Sequence, residues 1–479
     1  VKNQFNILSL FLGFQFLFLN LQCSPAKLNS ACDPESESFV LSALLEFGSN
    51  DGKFLCPAFA GLNPLRLNYG SDFLVIRQNE PVGSIIPFSS EPIEKCQSSP
   101  SLPAGLTLNE SNCVISGTPV LGMNSTKYMI TASSSNKQTT ISLIIKSLFA
   151  PKFVYVLNTT SGSVNVFSIN ATTGALASIG TGATGGGPES MGVSPSQIYL
   201  TVANRSSNDI SQFVINQNTG NLTILQTIAS GGFSPLAMTY HPYKDILYIR
   251  NSLNVTTFSV NPFTGNLTLI NTMPASTGAS SIAIDPFGNY LYVPNYNGKT
   301  IDFYQIDPSS GIPNPAVLQT IGSGAYPRNV EILANGKNMY TVNDADNNIS
   351  TYQLDPNNGF MSSNFPVTST LGLGARAVVA DPTRRFFYLT NQNSNSVSIY
   401  GIDPVAGNLI PATMSSIGTG GGPTGITIDS SGKFLYVTSS FANTVDMFRI
   451  NQADGSLVSI GNVGVGTLPF VVVTSGTNP

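Results

Sequence analysis

A chain of 479 residues with 10% charged residues, 44 glycines and 31 prolines has the make-up of many short strands and turns, which excludes a mainly helical or disordered protein. Its net charge is −4 and it holds no lysine/arginine cluster, so neither nucleic acid nor an anionic membrane surface is an expected partner. It lacks tryptophan, which weakens the case for an aromatic platform that stacks sugars or single strands.

Lys2 precedes the apolar run "ILSLFLGFQFLFLNLQC", which ends at Cys23. An apolar run followed by a polar chain predicts a secretory signal over residues 1–22. All five cysteines lie at or before position 113. With Cys23 set aside, the even set Cys32, Cys56, Cys96 and Cys113 predicts disulfides in an oxidising compartment. Three pairings are open, and the sequence-local one, Cys32–Cys56 with Cys96–Cys113, is preferred because each pair brackets a compact segment. There is no CxxC spacing and His241 is the one histidine, so no metal site and no cofactor are expected. The end of the apolar run resembles a bacterial lipoprotein signal, although Gln22 stands where a small residue is usual. The resemblance implies a lipid on Cys23 and a location in the cell envelope, at the outer membrane or cell surface, with contact to the membrane only through that anchor.

Residues 23–66 are expected to form a linker and a short helical segment in "DPESESFVLSALLEFGSNDG", with Asp33 as N-cap, Pro34 at the first helical position and Gly48 as the stop. Residues 67–148 alternate as strands do and contain "SPSLPAGLTLNESNCVISGTP". This stretch resembles the bacterial Ig-like modules with an "LPxGLxL…ISGTP" signature. It implies a small β-sandwich, a spacer role and a Cys96–Cys113 bridge pinning the two arms of a hairpin.

From residue 151 the chain repeats. Gly174, Gly220, Gly265, Gly311, Gly359, Gly407 and Gly455 recur at intervals of 46, 45, 46, 48, 48 and 48, and the aromatics Phe167, Phe213, Phe258, Tyr304, Tyr352, Tyr400 and Phe448 keep the same spacing. Several short strands in each of seven such units predict a seven-bladed β-propeller over residues 151–479. In the last unit strand A is "PTGITID", B "KFLYVTS", C "NTVDMFRI" and D "SLVSIG". The chain enters at a B strand, "FVYVLN", and ends on an A-like strand, "LPFVVVTS", so the C-terminal strand should complete the first blade. The expected fold is all-β, a propeller closed by its last strand and preceded by an Ig-like β-sandwich.

The rhythm "PxxIxIDPxGxxLYVxN…NTVxVFxI" is similar to seven-bladed lactonase-like propellers, which include a 6-phosphogluconolactonase type, and to the YVTN-repeat propellers of bacterial surface proteins. The D–A and B–C loops share one face, where Glu189, Leu236, Ser280, Arg328, Arg376, Thr424 and Phe470 should project at the channel mouth. Arg328 and Arg376 could clamp a carboxylate or phosphate, or could pair with Glu331 or Glu189 and tie blades together. "YPRN…LANGKNMYTVND" keeps the family's arginine and asparagine as Arg328 and Asn343, but Asn329 stands in place of histidine and cannot take a proton near neutral pH. Ligand contacts are therefore assigned to Arg328, Arg376, Asn329 and Asn343, and any catalytic base to Asp344, Asp346 or Glu189. His241 reads as a turn residue on the opposite face. Asn158, Asn204, Asn251, Asn295, Asn343 and Asn391, with Ser439, read as caps ending strand B. The expected role is that of an exported, monomeric binding or structural propeller facing an extracellular or periplasmic ligand; the alternative is a lactone hydrolase.

Overall fold

The computed structural model describes residues 64–476 except 121–122, 149, 277, 279–280, 356 and 363–366, and only the backbone of 123–124. The signal, Cys23, the helical segment and the Cys32–Cys56 pairing lie outside the described residues. Every regular element among the described residues is a strand.

The Ig-like module has two main sheets and a two-stranded one, Leu67–Asn68 with Phe88–Ser89. One main sheet has the order Phe73–Arg77, Lys137–Leu148, Met123–Ser134 and Lys95–Ser99, and the other Val82–Ile85, Ile115–Gly117 and Leu106–Leu108. Cys96 and Cys113 are bonded, with 5.4 Å between their Cα atoms. The bridge ties the Lys95–Ser99 edge of the first sheet to the turn between Leu106–Leu108 and Ile115–Gly117, the hairpin of the second.

Seven sheets form the propeller. Blade 1 is Pro469–Gly476 (strand A), Pro151–Asn158 (B), Ser163–Ile169 (C) and Leu176–Ala183 (D), so the last strand does complete the first blade. In blades 2 to 7 strands A are Pro188–Val193, Ala237–Tyr240, Ala283–Ile284, Pro327–Ile332, Ala375–Ala380 and Pro423–Ile428. The neighbouring strands B are Tyr199–Asn204, Ile246–Arg250, Tyr290–Asn295, Asn338–Asn343, Phe386–Asn391 and Phe434–Ser439. Strands B are buried along their length, because flanking blades cover both of their faces, while outer strands such as Leu222–Ala229 alternate with solvent.

The repeated glycine has a physical cause. Each sits in the C–D turn with positive φ, +76° at Gly220 and +73° at Gly359. A Cβ on Gly220 would lie 2.5 Å from the Phe153 ring of the preceding blade, and one on Gly359 would lie 2.7 Å from Tyr290. A tyrosine of strand B then donates to the same turn of the next blade: Tyr155 to Gly220 O at 3.2 Å, Tyr292 to Gly359 O at 2.9 Å, and Tyr436 to Gly174 O at 3.0 Å across the closure. Blade 2 has Thr201 at this place, and its hydroxyl is bonded to Tyr240 OH instead, 2.5 Å away.

The module meets the A–B turns. Asp72 pairs with Lys337 of blade 5, Arg77 Nη1 donates to Ser431 O of blade 7 at 2.8 Å, and the Arg384 guanidinium of blade 6 lies 4.1 Å from the Phe73 ring centroid. Tyr243 of blade 3 donates its hydroxyl to Ser125 O. His241 sits in the blade 3 turn, buried. Its Nδ1 accepts from Tyr243 N at 3.1 Å and Lys244 N at 3.0 Å, and Nε2 meets Gly288 O at 3.1 Å. Burial lowers its pKa to about 4, so it is a neutral turn-former doing what Asp285 and Asp381 do in their turns.

Candidate functional site

Strand A in most blades carries a β-bulge directly after its first residue. The register steps from Pro188↔Asn204 to Ser190↔Ala203, from Pro327↔Asn343 to Asn329↔Val342, and from Pro469↔Asn158 to Val471↔Leu157. The unpaired residues are Glu189, Arg328 and Phe470. In blade 6 the shift spans Arg376 and Ala377, and in blade 7 it spans Thr424 and Gly425. A bulge re-aims its side chain, and here it turns each toward the axis. Glu189, Leu236, Arg328, Arg376, Thr424 and Phe470 all line one cavity of about 690 Å³ on the channel; Ser280 lies outside the described residues.

In blades 2, 5 and 6 the residue after the strand-B cap faces the cavity-lining residue of strand A, sixteen places on in the sequence. Arg205 Nη1 lies 3.9 Å from Glu189 Oε2, Arg328 Nε donates to Asp344 Oδ2 at 2.7 Å, and Arg376 Nε donates to Gln392 Oε1 at 2.5 Å. Arg205, Tyr296 and Gln392 were not singled out from sequence, yet each directly follows one of the recurring asparagines, and that was the available signal. Tyr296 lies under Arg328, whose Cζ is 5.5 Å from the ring centroid, and it stacks on Tyr326 at 4.5 Å. Tyr326 has φ +59° where four sister loops place glycine, at Gly187, Gly278, Gly374 and Gly422. A left-handed tyrosine costs on the order of 1 kcal/mol, which the stack offsets.

Burial raises the pKa of Glu189, and Arg205, Arg328 and Arg376 pull it back. Burial and the charge of Arg328 lower that of Arg376, while Asp344, Tyr296 and Glu189 act the other way. Groups from blades 2, 4, 5 and 6 thus share one field across the channel. At the far end Glu331 also lines the cavity; it accepts from Ala380 N at 3.1 Å. Burial lifts its pKa to about 7, opposed by that hydrogen bond and by Lys146 of the Ig-like module. Lys146 is itself lowered by burial, against the pull of Glu331 and Asp381.

One alternative pairing and one expected ligand contact come out differently. Arg328 joins Asp344 of its own blade, not Glu331 or Glu189, because the A–B register sets those two side by side. Asn329 lines the cavity, but Asn343 is fully buried, its Nδ2 donating to Asn348 Oδ1 at 2.7 Å and Ser350 Oγ at 2.8 Å. Its amide holds the B–C hairpin, as the other caps do. Asp346 accepts from Ala325 N at 2.6 Å, so the acidic residues of "DADNN" each have a separate protein partner.

Comparison with known proteins follows the same division. A family model described as "Lactonase, 7-bladed beta-propeller" matches residues 145–232, 229–369 and 362–473, and one described as "Putative Ig domain" matches residues 72–147. No curated protein matches the chain. Among solved structures, one titled "putative 6-phosphogluconolactonase" from Bacteroides fragilis is 20% identical with a TM-score of 0.61, covering 68% of this chain and 98% of that one. Another so titled, from Bacteroides uniformis, is 19% identical with a TM-score of 0.61, covering 68% and 100%. The periplasmic gluconolactonase PpgL of Pseudomonas aeruginosa is 17% identical with a TM-score of 0.59, covering 68% and 99%. At these identities the likeness is one of fold.

Proposed function

Because the chain belongs to the Lactonase, 7-bladed beta-propeller family, we propose that it hydrolyses a lactone at the channel mouth, with Glu189 as the base. The observation that carries this is a half-buried carboxylate of raised pKa in the same cavity as two arginines from other blades. In the reaction Glu189 takes a proton from water as the water oxygen bonds to the lactone carbonyl carbon. Arg328 and Arg376 donate to the oxyanion that forms. On collapse the ring C–O bond breaks, and the leaving alkoxide takes the proton back from Glu189, giving a hydroxy acid. Asp344 is a positioning residue that aims Arg328. Glu189→Gln should lower kcat by about 10²–10⁴-fold with little change in KM. The wild-type rate should rise as pH passes upward through the raised pKa of Glu189. Turnover unaffected by Glu189→Gln would refute the assignment.

A second reading has one observation in its favour. Asn329 lines the cavity where the lactonase pattern carries histidine, and that suits an exported propeller that binds without catalysis. The Cys96–Cys113 bridge supports an oxidising compartment. Under this reading Cys23 bears a lipid. Cys23→Ser should then abolish labelling by a fatty-acid analogue, and persistent labelling would rule the anchor out.

A further inference from the structure

Three positions can be compared from blade to blade in the sequence: a residue of the D–A loop, the residue three places on at the start of strand A, and the second residue after the strand-B cap. Their chemistry differs from blade to blade. In blade 3 alone all three are large and apolar: Phe233, Leu236 and Leu253. Leu236 and Leu253 line the cavity, with Met238 deeper on the same strand. Phe233 is 75% exposed and Leu253 58% exposed. Ser252 N donates to Phe233 O at 2.9 Å, so the two loops stand as one ledge. Blade 3 adjoins Glu189 of blade 2 and stands two and three blades from Arg328 and Arg376.

We propose that the ligand of this site is a lactone bearing an alkyl or aryl substituent, its ring carbonyl between Glu189 and the arginines and its substituent on the blade 3 ledge. The inference rests on the hydrolytic reading and names its substrate class. A polyhydroxylated ring would set its hydroxyls against Leu236, Met238 and Leu253, side chains that offer no hydrogen bond, and would lose those it makes in water. An apolar substituent instead removes the exposed surface of Phe233 and Leu253 from water, and the polar groups stay on the arc where polar partners stand.

The test uses the full chain and a series of δ-lactones with side chains from methyl to heptyl, beside glucono-δ-lactone, followed by proton release. Calorimetry measures binding of the corresponding hydroxy acids in parallel. The expected kcat/KM rises up to about fourfold per added methylene over the first few carbons. The doubly substituted Phe233→Ser, Leu253→Ser protein, altered only at exposed positions, should reduce that slope to less than about twofold. A flat series, or one in which glucono-δ-lactone is the best substrate, overturns the ledge and leaves hydrolysis standing. Hydroxy acids that bind with a chain-length dependence lost in the double variant, without turnover of any lactone, uphold the ledge and overturn hydrolysis. Absence of both turnover and binding overturns both.

Discussion

Deleting residues 467–479 removes strand A of blade 1. Val472 is 3% exposed and packs in the cluster between blades 7 and 1, whereas Val471 and Val473 pack against the cluster shared with blade 2. Full burial of such a side chain contributes about 1.5–3 kcal/mol, so one buried and two partly buried valines contribute roughly 4 kcal/mol. The strand also pairs with Pro151–Asn158 at seven positions. Several net hydrogen bonds of about 1 kcal/mol each add a similar amount. The sum of roughly 8 kcal/mol falls within the whole stability expected of a domain, about 5–15 kcal/mol. The truncated protein should therefore aggregate, or unfold cooperatively at far lower urea, when followed by far-UV circular dichroism. A truncation whose urea midpoint stays close to that of the full chain would show that the closing strand does not hold the ring.

Further expectations concern the floor, the blade junctions and the module. Glu331 has a folded pKa raised to about 7, so its favourable contribution is fully present below the unfolded value near 4.5 and is lost as pH rises through 7. Glu331→Gln should abolish a fall of roughly 3 kcal/mol in unfolding free energy between pH 5 and pH 8, measured by urea titration at each pH; an equal fall in the variant would contradict this. Tyr436→Phe removes the bond to Gly174 O that crosses the closure and should cost about 1–2 kcal/mol, whereas removing the exposed hydroxyl of Tyr326 should cost almost nothing. Cys113→Ser opens a loop closed over a separation of 17 residues and should destabilise the Ig-like module by about 3 kcal/mol, seen as an earlier thermal transition.

Strand phase was legible because its markers answer to packing. The C–D glycine has no room for a side chain beside the preceding blade, and the strand-B asparagine must satisfy a hairpin, so both recur whatever the protein does. The mouth positions were legible for the same reason, since the bulge falls directly after a recognisable first residue of strand A. What escaped depends on register and on distant contacts. Arg328 next to Asp344 follows from the bulge that sets Pro327 opposite Asn343 and Asn329 opposite Val342, and no local pattern prints that register. Asn343 was assigned to a ligand because it follows the arginine in a familiar order, but its place on strand B points it into the blade. Lys146 beside Glu331 joins two domains 185 residues apart in sequence, and no local pattern announces such a meeting.

Only residues 149–150 separate the module's last strand, Lys137–Leu148, from strand B of blade 1, and that strand is hydrogen-bonded on both sides, to Ser163–Ile169 and to the C-terminal strand. The module is also held to the turns of blades 3, 5, 6 and 7. A tug on the module is thus delivered into the interior of a sheet, and it is spread at the same time over several blades by the docking contacts. Strand B cannot peel from a free edge, because it has none; tension has to slide it against two neighbours together. The join is built as a tensile anchorage, and the ring should keep the arginines and Glu189 in register while the module is under mechanical load.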